Sequence, residues 1–219
     1  MAEKMIFISN GINPYCEKII EYTFVPGFAP SQRMKNVINL NDSINSKYPG
    51  LRTLEVSTKS DTELGKKLSA FNLKLDGKYI ESIFQSSKVF NDGIQYINLI
   101  NEKPIDAKRF IQSLPKKEIT KFKYNGIEYP IEPKSMFYDF IYICALRNIP
   151  EVSSALKQYD IFTDIEFNYK KSINCQARAC AIYSYLLKIN KVDEYLNNIE
   201  LFKSLYTNKK TDIITLYDI

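Results

Sequence analysis

Residues 81–90 read ESIFQSSKVF and place an acid, an amide and an amine among aromatic and aliphatic residues. If the stretch is helical, Glu81, Gln85 and Lys88 recur at i, i+4 and i+7 and fall within a sector of roughly 60°. Phe90 then points to the opposite side. Charged helical faces are usually solvated, and an acid and an amide at i and i+4 add only a weak contact. The alternative is a polar row that faces a ligand, and the rest of the sequence has to decide between the two.

The composition limits the chemistry available to this chain. Its 219 residues suggest one domain with at most a small extension, and 45% hydrophobic residues suffice for a sizeable core. The chain contains no histidine, which excludes Ser-His-Asp and Cys-His machinery and the commonest metal ligand. It has 7 glycines and no G-x-G-x-x-G or G-x-x-x-x-G-K-[ST] string, which argues against a Gly-rich nucleotide loop. Any enzyme chemistry must therefore use carboxylates, lysines, tyrosines or groups of the substrate.

The four cysteines indicate reduced thiols. Cys16, Cys144, Cys175 and Cys180 form no C-x-x-C pair, which argues against a zinc knuckle. The last three lie in apolar helical patterns, so we expect buried thiols there. The first 18 residues contain no long apolar segment, and no stretch reaches transmembrane length. We therefore expect a cytoplasmic protein without membrane contact and without a bound metal or cofactor.

The sequence pattern predicts a helix-rich α+β fold. Strands are expected where apolar and β-branched residues run between turn signals: residues 5–8, 51–57 and 161–167, and a hairpin around Asn125-Gly126. Helices are expected from helical periodicity or an initial proline: residues 14–22, from Ser31 onward, 81–90, 104–114, 134–148, 150–160, 172–189 and 192–206. The helices over 134–148 and 172–189 are apolar almost all round, so we expect them to be central and buried.

The excess of positive charge is concentrated in one segment. The formal net charge is +5, and residues 108–123 contain a single acid, Glu118. The cations of this segment are Lys108, Arg109, Lys116, Lys117, Lys121 and Lys123. Such a segment can neutralise phosphates and release counterions, or it can be a solvated surface. In the first case, the residues that bind DNA are Lys116, Lys117, Lys121 and Lys123.

Polar residues interrupt the apolar pattern at several further places. Asp164 and Glu166 are expected on one side of a strand, and Asp139 lies within a predicted buried helix. Asn174 and Arg178 are expected one turn apart on another apolar helix. Each of them, taken singly, is typical of a structural hydrogen-bond or ion-pair network. Taken together, they predict a polar cleft walled by aromatic residues, which is the usual form of a small-ligand site.

The string KLDGKYIESIFQSSKVF resembles the NADAR superfamily motif, in which a D-G turn leads to a helix carrying E-x-x-[YF]-Q-x-x-K. Upstream, STKSDTELGKKLSAFNL is similar to that family's Y-K…G…S-N-F segment, with Lys59, Ser69 and Phe71 at matching positions. Downstream, KPIDAKRF is similar to its P-x-x-A-K helix. The string FTDIEFNYKKSINCQARACAIYSYLL takes the place of its W-G-D-G…G-x-N-x-L-G-x-L-L ending, with Asp164 and Asn174 as the matches.

The resemblance covers roughly residues 51–190, with the motifs in the family's order. The chain departs from the family pattern by lacking tryptophan and the glycines of the ending, and by placing Ala70 where the S-N-F segment has asparagine. Residues 24–37, FVPGFAPSQRMKNV, resemble the leading region of NADAR proteins that accompany DarT-type DNA ADP-ribosyltransferase toxins. The resemblance implies a YbiA-like α+β fold, with a catalytic domain over 51–219 and an N-terminal extension over 1–50 packed on it.

The resemblance implies hydrolysis of an N-glycosidic bond to ribose. In the DarT-associated branch, the substrate is ADP-ribose linked to guanine in DNA. The protein would then be an antitoxin, or an anti-defence protein if a phage encodes it, and a DarT-type toxin would be its partner. A second branch, similar to YbiA, cleaves intermediates of riboflavin biosynthesis. A non-catalytic module that binds ADP-ribose or the toxin is the remaining alternative.

Glycosidic chemistry assigns roles to the matched residues. Cleavage at ribose C1 passes through an oxocarbenium-like transition state, which a carboxylate stabilises while an acid assists the leaving base. Without histidine, these roles fall to Glu81 and Asp164. A lysine can instead attack the open-chain ribose aldehyde, and the resemblance favours Lys59 for this step, with Lys88 as its cationic neighbour. The residues expected to bind substrate are Ser69, Phe71, Gln85, Lys88, Tyr138, Glu166, Asn174 and Arg178.

Overall fold

The structure, a computed structural model, describes residues 1–207. The strands in this range are β1 (Ala2–Ile8), β2 (Cys16–Tyr22), β3 (Thr53–Glu55), β4 (Lys74–Leu75), β5 (Lys78–Tyr79), β6 (Lys88–Phe90), β7 (Ile119–Tyr124), β8 (Ile127–Tyr129) and β9 (Ile161–Thr163). The helices are α1 (Pro30–Lys47), α2 (Glu63–Lys67), α3 (Ile80–Ser86), α4 (Pro104–Ser113), α5 (Met136–Arg147), α6 (Pro150–Leu156), α7 (Gln176–Lys188), α8 (Val192–Leu196) and α9 (Ile199–Ser204). The predicted helix-rich α+β class is confirmed, and the YbiA-like label stays a prediction.

The main sheet has four strands in the order β2-β1-β9-β3. Strand β1 runs antiparallel to β2 and β9, whereas β3 runs parallel to β9. The parallel register places Glu55 opposite Thr163. Because parallel strands end at the same edge of a sheet, the loops that follow β3 and β9 leave the sheet side by side. This edge brings the segment after residue 55 next to Asp164.

Residues 14–22 do not form the predicted helix, since residues 16–22 form strand β2. Cys16, Ile20 and Tyr22 are buried, and the side chains between them are exposed or half-buried. This alternation has the period of two that a strand with one buried face requires. The sheet therefore contains two strands from residues 1–50 and two from later in the chain. The proposed division at residue 50 stays a prediction.

The two central helices, α5 and α7, are buried and pack against each other. Both were expected from their apolar sequences, but α7 begins at Gln176 and not at residue 172. Their apolar side chains join those of α3, α6 and the main sheet in one large core. A second, smaller core lies between α1 and the strands β1, β2 and β9. Two of the polar residues noted in the sequence, Asp139 of α5 and Arg178 of α7, lie on this central pair of helices.

The stretch over 81–90 is not one helix. Helix α3 ends at Ser86, and the three residues from Lys88 to Phe90 pair with β7. The Oγ atoms of Ser86 and Ser87 both donate to the carbonyl of Ile83, at 3.0 and 2.7 Å. Such serine hydroxyls compete with the helical hydrogen bonds and help to end a helix. The β-branched and aromatic residues that follow favour a strand.

Two turns and one helix boundary complete the comparison with the predicted elements. The Asp76-Gly77 turn joins β4 to β5, with φ of 49° and 77° at its two residues. The Asn125-Gly126 turn joins β7 to β8, as predicted. Residues 192–206 form two short helices rather than one, because Asn198 accepts a hydrogen bond from the N–H of Leu201 and starts a new helix. None of the helices within residues 1–207 combines the length and the apolar character needed to cross a bilayer.

Candidate active site

A cavity of about 310 Å³ lies between α3, α5 and the segment that joins β9 to α7. Its volume is at the lower end of the range typical of small-molecule sites. The predicted substrate-site residues that line it are Phe71, Glu81, Gln85, Tyr138, Asp164, Glu166 and Asn174. The lining residues outside the predicted set are Ala70, Phe84, Lys108, Phe167, Ser172, Ile173 and Gln176. The structure therefore brings together residues from five separate stretches of the chain.

Four predicted residues lie outside the cavity lining. Ser69 is buried, and its Oγ accepts a hydrogen bond from the N–H two residues later, at 3.4 Å. Lys59 is half-buried in the loop after β3, where its N–H donates to Ser57 Oγ at 3.1 Å. The side chains of Lys88 and Arg178 are held by other protein groups. These four residues can support the site but do not form its wall.

The row of Glu81, Gln85 and Lys88 is buried, so the interpretation as a solvated face is wrong. Lys88 Nζ donates to Gln85 Oε1 at 2.5 Å, and Gln85 Nε2 donates to Glu81 Oε1 at 2.8 Å. Burial lowers the pKa of Lys88 to about 8; Glu81 opposes this shift and Lys108 adds to it. Lys88 Nζ also lies 4.8 Å from the centre of the Phe84 ring. The row therefore orients the Glu81 carboxylate at the cavity wall.

Asp164 directly follows β9 and is 7% exposed. Its Oδ1 accepts the N–H of Glu166 at 3.0 Å, and the Gln176 side chain also hydrogen bonds to it. Gln176 Oε1 accepts the N–H of Ala70 at 2.8 Å, so this amide links two walls of the cavity. Burial, and then the negative charge of Glu55, raise the pKa of Asp164 to about 7. Asp164 therefore keeps its proton in a large fraction of molecules at neutral pH.

Two charged residues behind the cavity, the buried Glu55 and the half-buried Lys4, were not predicted. Glu55 in β3 is 1% exposed and accepts three hydrogen bonds from nearby residues. Burial raises the pKa of Glu55. Lys4 in β1 donates from Nζ to the carbonyl of Phe167 at 2.6 Å, and burial lowers the pKa of Lys4. In the sequence, Glu55 is recognisable only as an acid within the strand predicted over 51–57. Lys4 lies directly before the strand predicted over 5–8.

Arg178 does not line the cavity and belongs to a buried network beside it. Its Nε donates to Asp139 Oδ2 at 2.9 Å, and its Nη2 donates to Asp139 Oδ1 at 3.3 Å. The hydroxyl of Tyr206 donates to Asp139 Oδ2 at 2.7 Å. Arg178 Nη1 donates to the carbonyl of Ile173 at 2.9 Å. Asn174 is not one turn from Arg178 on a helix, because α7 begins two residues after Asn174.

Aromatic rings form the apolar part of the cavity wall. The Phe84 and Tyr138 rings meet edge to face, with centroids 5.3 Å apart. Burial raises the pKa of Tyr138 well above its usual range, so its phenol is neutral. Lys108 Nζ lies 5.6 Å from the centre of the Phe71 ring, which places a cation at the cavity wall. A planar base and an anionic group can both be bound by such a wall.

Comparison with models of protein families identifies the family of this chain. The family model of the DarT1-associated NADAR antitoxin matches residues 2–213. The chain belongs to the DarT1-associated NADAR antitoxin family. A search of curated proteins found no match. The resemblance inferred from the sequence is confirmed, and the role that it supports is that of a DarT-associated antitoxin.

The family match extends over the N-terminal part of this antitoxin. It begins at residue 2, so it includes both β1 and β2. Strand β1 carries Lys4, whose ammonium lies behind the cavity. The residues before position 50 therefore take part in building the site of this family member.

The basic segment of the antitoxin is partly neutralised. Lys117 forms an ion pair with Asp92, and Lys121 forms one with Glu128 at 2.6 Å. Lys116 and Lys123 are exposed, and no ion pair is found for them within residues 1–207. None of these four lysines lines the cavity. Lys108, from the start of the same segment, is the cation that does.

No disulfide joins the cysteines in the part of the chain that the structure describes. Cys16, Cys175 and Cys180 are buried, as expected for the last two, whereas Cys144 is only half-buried. Burial raises the pKa of Cys144 to about 11 and that of Cys180 to about 12. No group of three histidine, cysteine, aspartate or glutamate residues able to hold a metal ion is found over residues 1–207.

Proposed function

We propose that this antitoxin is an ADP-ribosyl glycohydrolase that removes ADP-ribose from guanine bases in DNA. The observation that carries the proposal is that Glu81 and Asp164 face one cavity in a member of a DarT1-associated family. Two carboxyl groups in different surroundings are what glycosidic cleavage requires. A DNA substrate and cysteines without disulfides over residues 1–207 both fit a cytoplasmic protein.

In the proposed reaction, the bond between ribose C1 and the guanine nitrogen breaks and a water molecule adds to C1. Asp164 acts as the general acid and gives its proton to the departing guanine, because its raised pKa keeps it protonated near neutral pH. Glu81 stabilises the positive charge that develops on C1 and accepts the proton of the attacking water. Gln85 holds Glu81 in place through the hydrogen bond described above.

A second route uses a lysine that attacks ribose C1 after the ribose ring has opened, when C1 is bound to the guanine nitrogen as an imine. The lysine forms a Schiff base to C1 as the bond from C1 to guanine breaks, and guanine leaves with its amine restored. A water molecule then hydrolyses the lysine imine and releases ADP-ribose. The resemblance to the family motif favours Lys59 for this role. Lys59 is not in the cavity lining, whereas Lys108 is. Adding borohydride during turnover reduces the imine and fixes the adduct on the lysine that formed it. We expect mass mapping to find the adduct at Lys59. An adduct at Lys108 or Lys88 would show that this other lysine, and not Lys59, forms the Schiff base.

The proposed substrate contacts follow from the chemistry of the lining. Phe71 or Tyr138 stacks on a base of the substrate. Gln85 and Asn174 hydrogen bond to ribose hydroxyls or to phosphate, and Lys108 pairs with the phosphate charge. No step in this scheme uses a metal ion, so EDTA should leave the rate of release unchanged.

The test is incubation of the protein with oligonucleotides that carry ADP-ribose on guanine or on thymine. We expect free ADP-ribose and an unmodified oligonucleotide from the guanine adduct, and neither product from the thymine adduct. Tight binding of the guanine adduct without release would favour the non-catalytic binding module. Release from a riboflavin-pathway intermediate, with none from DNA, would favour the small-molecule glycosidase.

A further inference from the structure

We infer that Glu55 is a positioning residue that holds the Asp164 turn and the Lys59 loop together at the cavity. The inference deepens the proposed function and rests on it for the roles of Asp164 and Lys59. Glu55 lies behind the cavity and does not line it. It acts through the residues that surround it.

The first set of hydrogen bonds joins Glu55 to the two residues that flank Asp164. Thr163 Oγ1 donates to Glu55 Oε2 at 2.6 Å, and the N–H of Ile165 donates to Glu55 Oε1 at 2.9 Å. These two donors come from the residues on either side of Asp164. The carboxylate of Glu55 therefore fixes the backbone around Asp164 without touching its hydrogen-bonding atoms.

The second set of hydrogen bonds joins Glu55 to Lys59 through Ser57. Ser57 Oγ donates to Glu55 Oε1 at 2.6 Å and accepts the N–H of Lys59 at 3.1 Å. The backbone of Glu55 is also closely covered, since a Cβ added at Gly65 would lie 1.9 Å from the carbonyl oxygen of Glu55. The start of the Lys59 loop is thus tied to the same carboxylate as the Asp164 turn.

The negative charge of Glu55 also raises the pKa of Asp164, which the hydrogen bonds of Glu55 alone would not do. A buried carboxylate raises the pKa of a neighbouring acid, because two negative charges at one site repel each other. Lys4 from β1 opposes this effect. The other titratable groups that interact with Asp164 are Tyr138 and Tyr142 of α5, Cys175 before α7 and Cys180 of α7. Among the charged groups of residues 1–207 that act on the pKa of Asp164, Glu55 has the largest effect toward the protonated form.

A merely structural role for Glu55 makes a different prediction from a positioning role. If Glu55 only closes the sheet edge, Glu55→Gln should change stability and leave the titration of Asp164 unchanged. Glutamine has nearly the same shape, and the hydroxyls of Ser57 and Thr163 can turn to accept from its amide. The variant therefore removes the charge with little change in packing.

The experiment is a carbon-13 titration of the Asp164 carboxyl group, with the signal assigned through Asp164→Asn. In Glu55→Gln we expect the pKa of Asp164 to fall by about one unit. We also expect the Lys59 amide to exchange with solvent faster than in the wild type. For catalysis, the release of ADP-ribose at pH 8 should fall about tenfold and recover near pH 6, because fewer Asp164 side chains carry a proton at pH 8.

The outcomes separate this inference from the proposed function. An unchanged Asp164 titration in a folded Glu55→Gln protein overturns the inference, even if the wild type is an active glycohydrolase. If Glu55→Gln shifts the titration of Asp164 but the wild-type protein releases no ADP-ribose, the inference is supported and the proposed function is overturned. If Glu55→Gln does not fold, Thr163→Val removes one donor from Glu55 and should shift Asp164 in the same direction by less. The absence of that smaller shift would also overturn the inference.

Discussion

Lys88 illustrates how burial changes the meaning of a single charged residue. In the sequence it belongs to a row that could equally be a solvated face. In the fold it is 9% exposed, its ammonium is bound by Gln85, and its pKa is lowered to about 8. Because a buried ammonium needs a partner, the chain from Lys88 through Gln85 to Glu81 forms one connected unit. The catalytic proposal at the residue scale depends on this unit.

At the residue scale, Glu81→Gln should abolish release of ADP-ribose, with a loss of about 10²–10⁴-fold in rate. The glutamine oxygen can still accept from Gln85, so the melting temperature should stay close to that of the wild type. Rates on the guanine adduct and thermal unfolding curves check this. Glu63→Gln, at an exposed acid paired with Lys66, is the matched control and should keep full activity. A Glu81→Gln protein with near-normal rates would exclude Glu81 from the mechanism.

Asp164 should make stability depend on pH. An exposed aspartate has a pKa of about 4, whereas the pKa of Asp164 in the folded protein is about 7. The folded protein therefore keeps a proton that the unfolded chain releases, so the contribution to stability is complete below pH of about 4. It is lost as the pH rises through about 7. Melting temperatures of Asp164→Asn should therefore fall less over this range than those of the wild type.

The control for this measurement is Asp42→Asn, at an exposed position of α1. Its melting temperatures should follow those of the wild type across the whole pH series. If the wild type and Asp164→Asn give parallel curves, the carboxyl group of Asp164 titrates in its ordinary range and cannot serve as the acid at neutral pH.

At the scale of secondary structure, the contact between α5 and α7 contains the buried Asp139–Arg178 pair. The two charges meet through two hydrogen bonds, and Tyr206 adds a third to the same carboxylate. A buried pair of this kind costs desolvation energy, and its loss leaves one charge without a partner. The pair therefore specifies how the two central helices and Tyr206, two residues after α9, fit together.

Replacing one member of this pair should destabilise the protein. Arg178→Met leaves the Asp139 carboxylate buried without its cation, so the free energy of unfolding should fall by about 3–5 kcal/mol. Urea unfolding measures the change. Arg147→Met breaks an exposed pair with Asp193 and should cost at most about 1 kcal/mol. If Arg178→Met kept its stability but raised the KM for the guanine adduct, Arg178 would be a substrate ligand after all.

At the scale of the whole molecule, the question is whether the basic segment guides DNA toward the cavity. Lys117 and Lys121 are partly neutralised by Asp92 and Glu128, whereas Lys116 and Lys123 are exposed. In the proposed reaction the cavity would hold only part of a modified strand, since its volume is about 310 Å³. Contacts with the rest of the strand must therefore lie on the surface outside it.

Reversing the charges of Lys116 and Lys123 together should weaken cleavage of an ADP-ribosylated oligonucleotide and flatten its salt dependence. Each lost phosphate contact should lower the slope of log affinity against log salt by roughly 0.7 for a single strand. Cleavage of a mononucleoside adduct should hardly change, because the cavity is intact. The control, Lys47→Glu with Lys157→Glu, changes the net charge equally at exposed positions outside the segment. Equal losses from both double variants would mean that only the net charge matters.

The local sequence determined several features of this protein. The absence of histidine restricted the chemistry to carboxylates, lysines, tyrosines or groups of the substrate. The turn residues Asn125-Gly126 marked the β7–β8 hairpin. The apolar stretches identified both central helices, and the spacing of Glu81, Gln85 and Lys88 identified the motif of the family. These features depend on neighbours a few residues apart, so they can be read from the order of residues alone.

Only the tertiary structure decided which of the polar residues meet. Glu55 and Thr163 are 108 residues apart and meet because β3 pairs with β9 in parallel, which no local pattern specifies. Arg178 meets Asp139 because α5 and α7 pack together. The raised pKa of Asp164 follows from burial and from Glu55, both of which come from distant parts of the chain. Local order determines the elements, and long-range packing determines the surroundings of each charge, because desolvation and Coulomb interactions act through space.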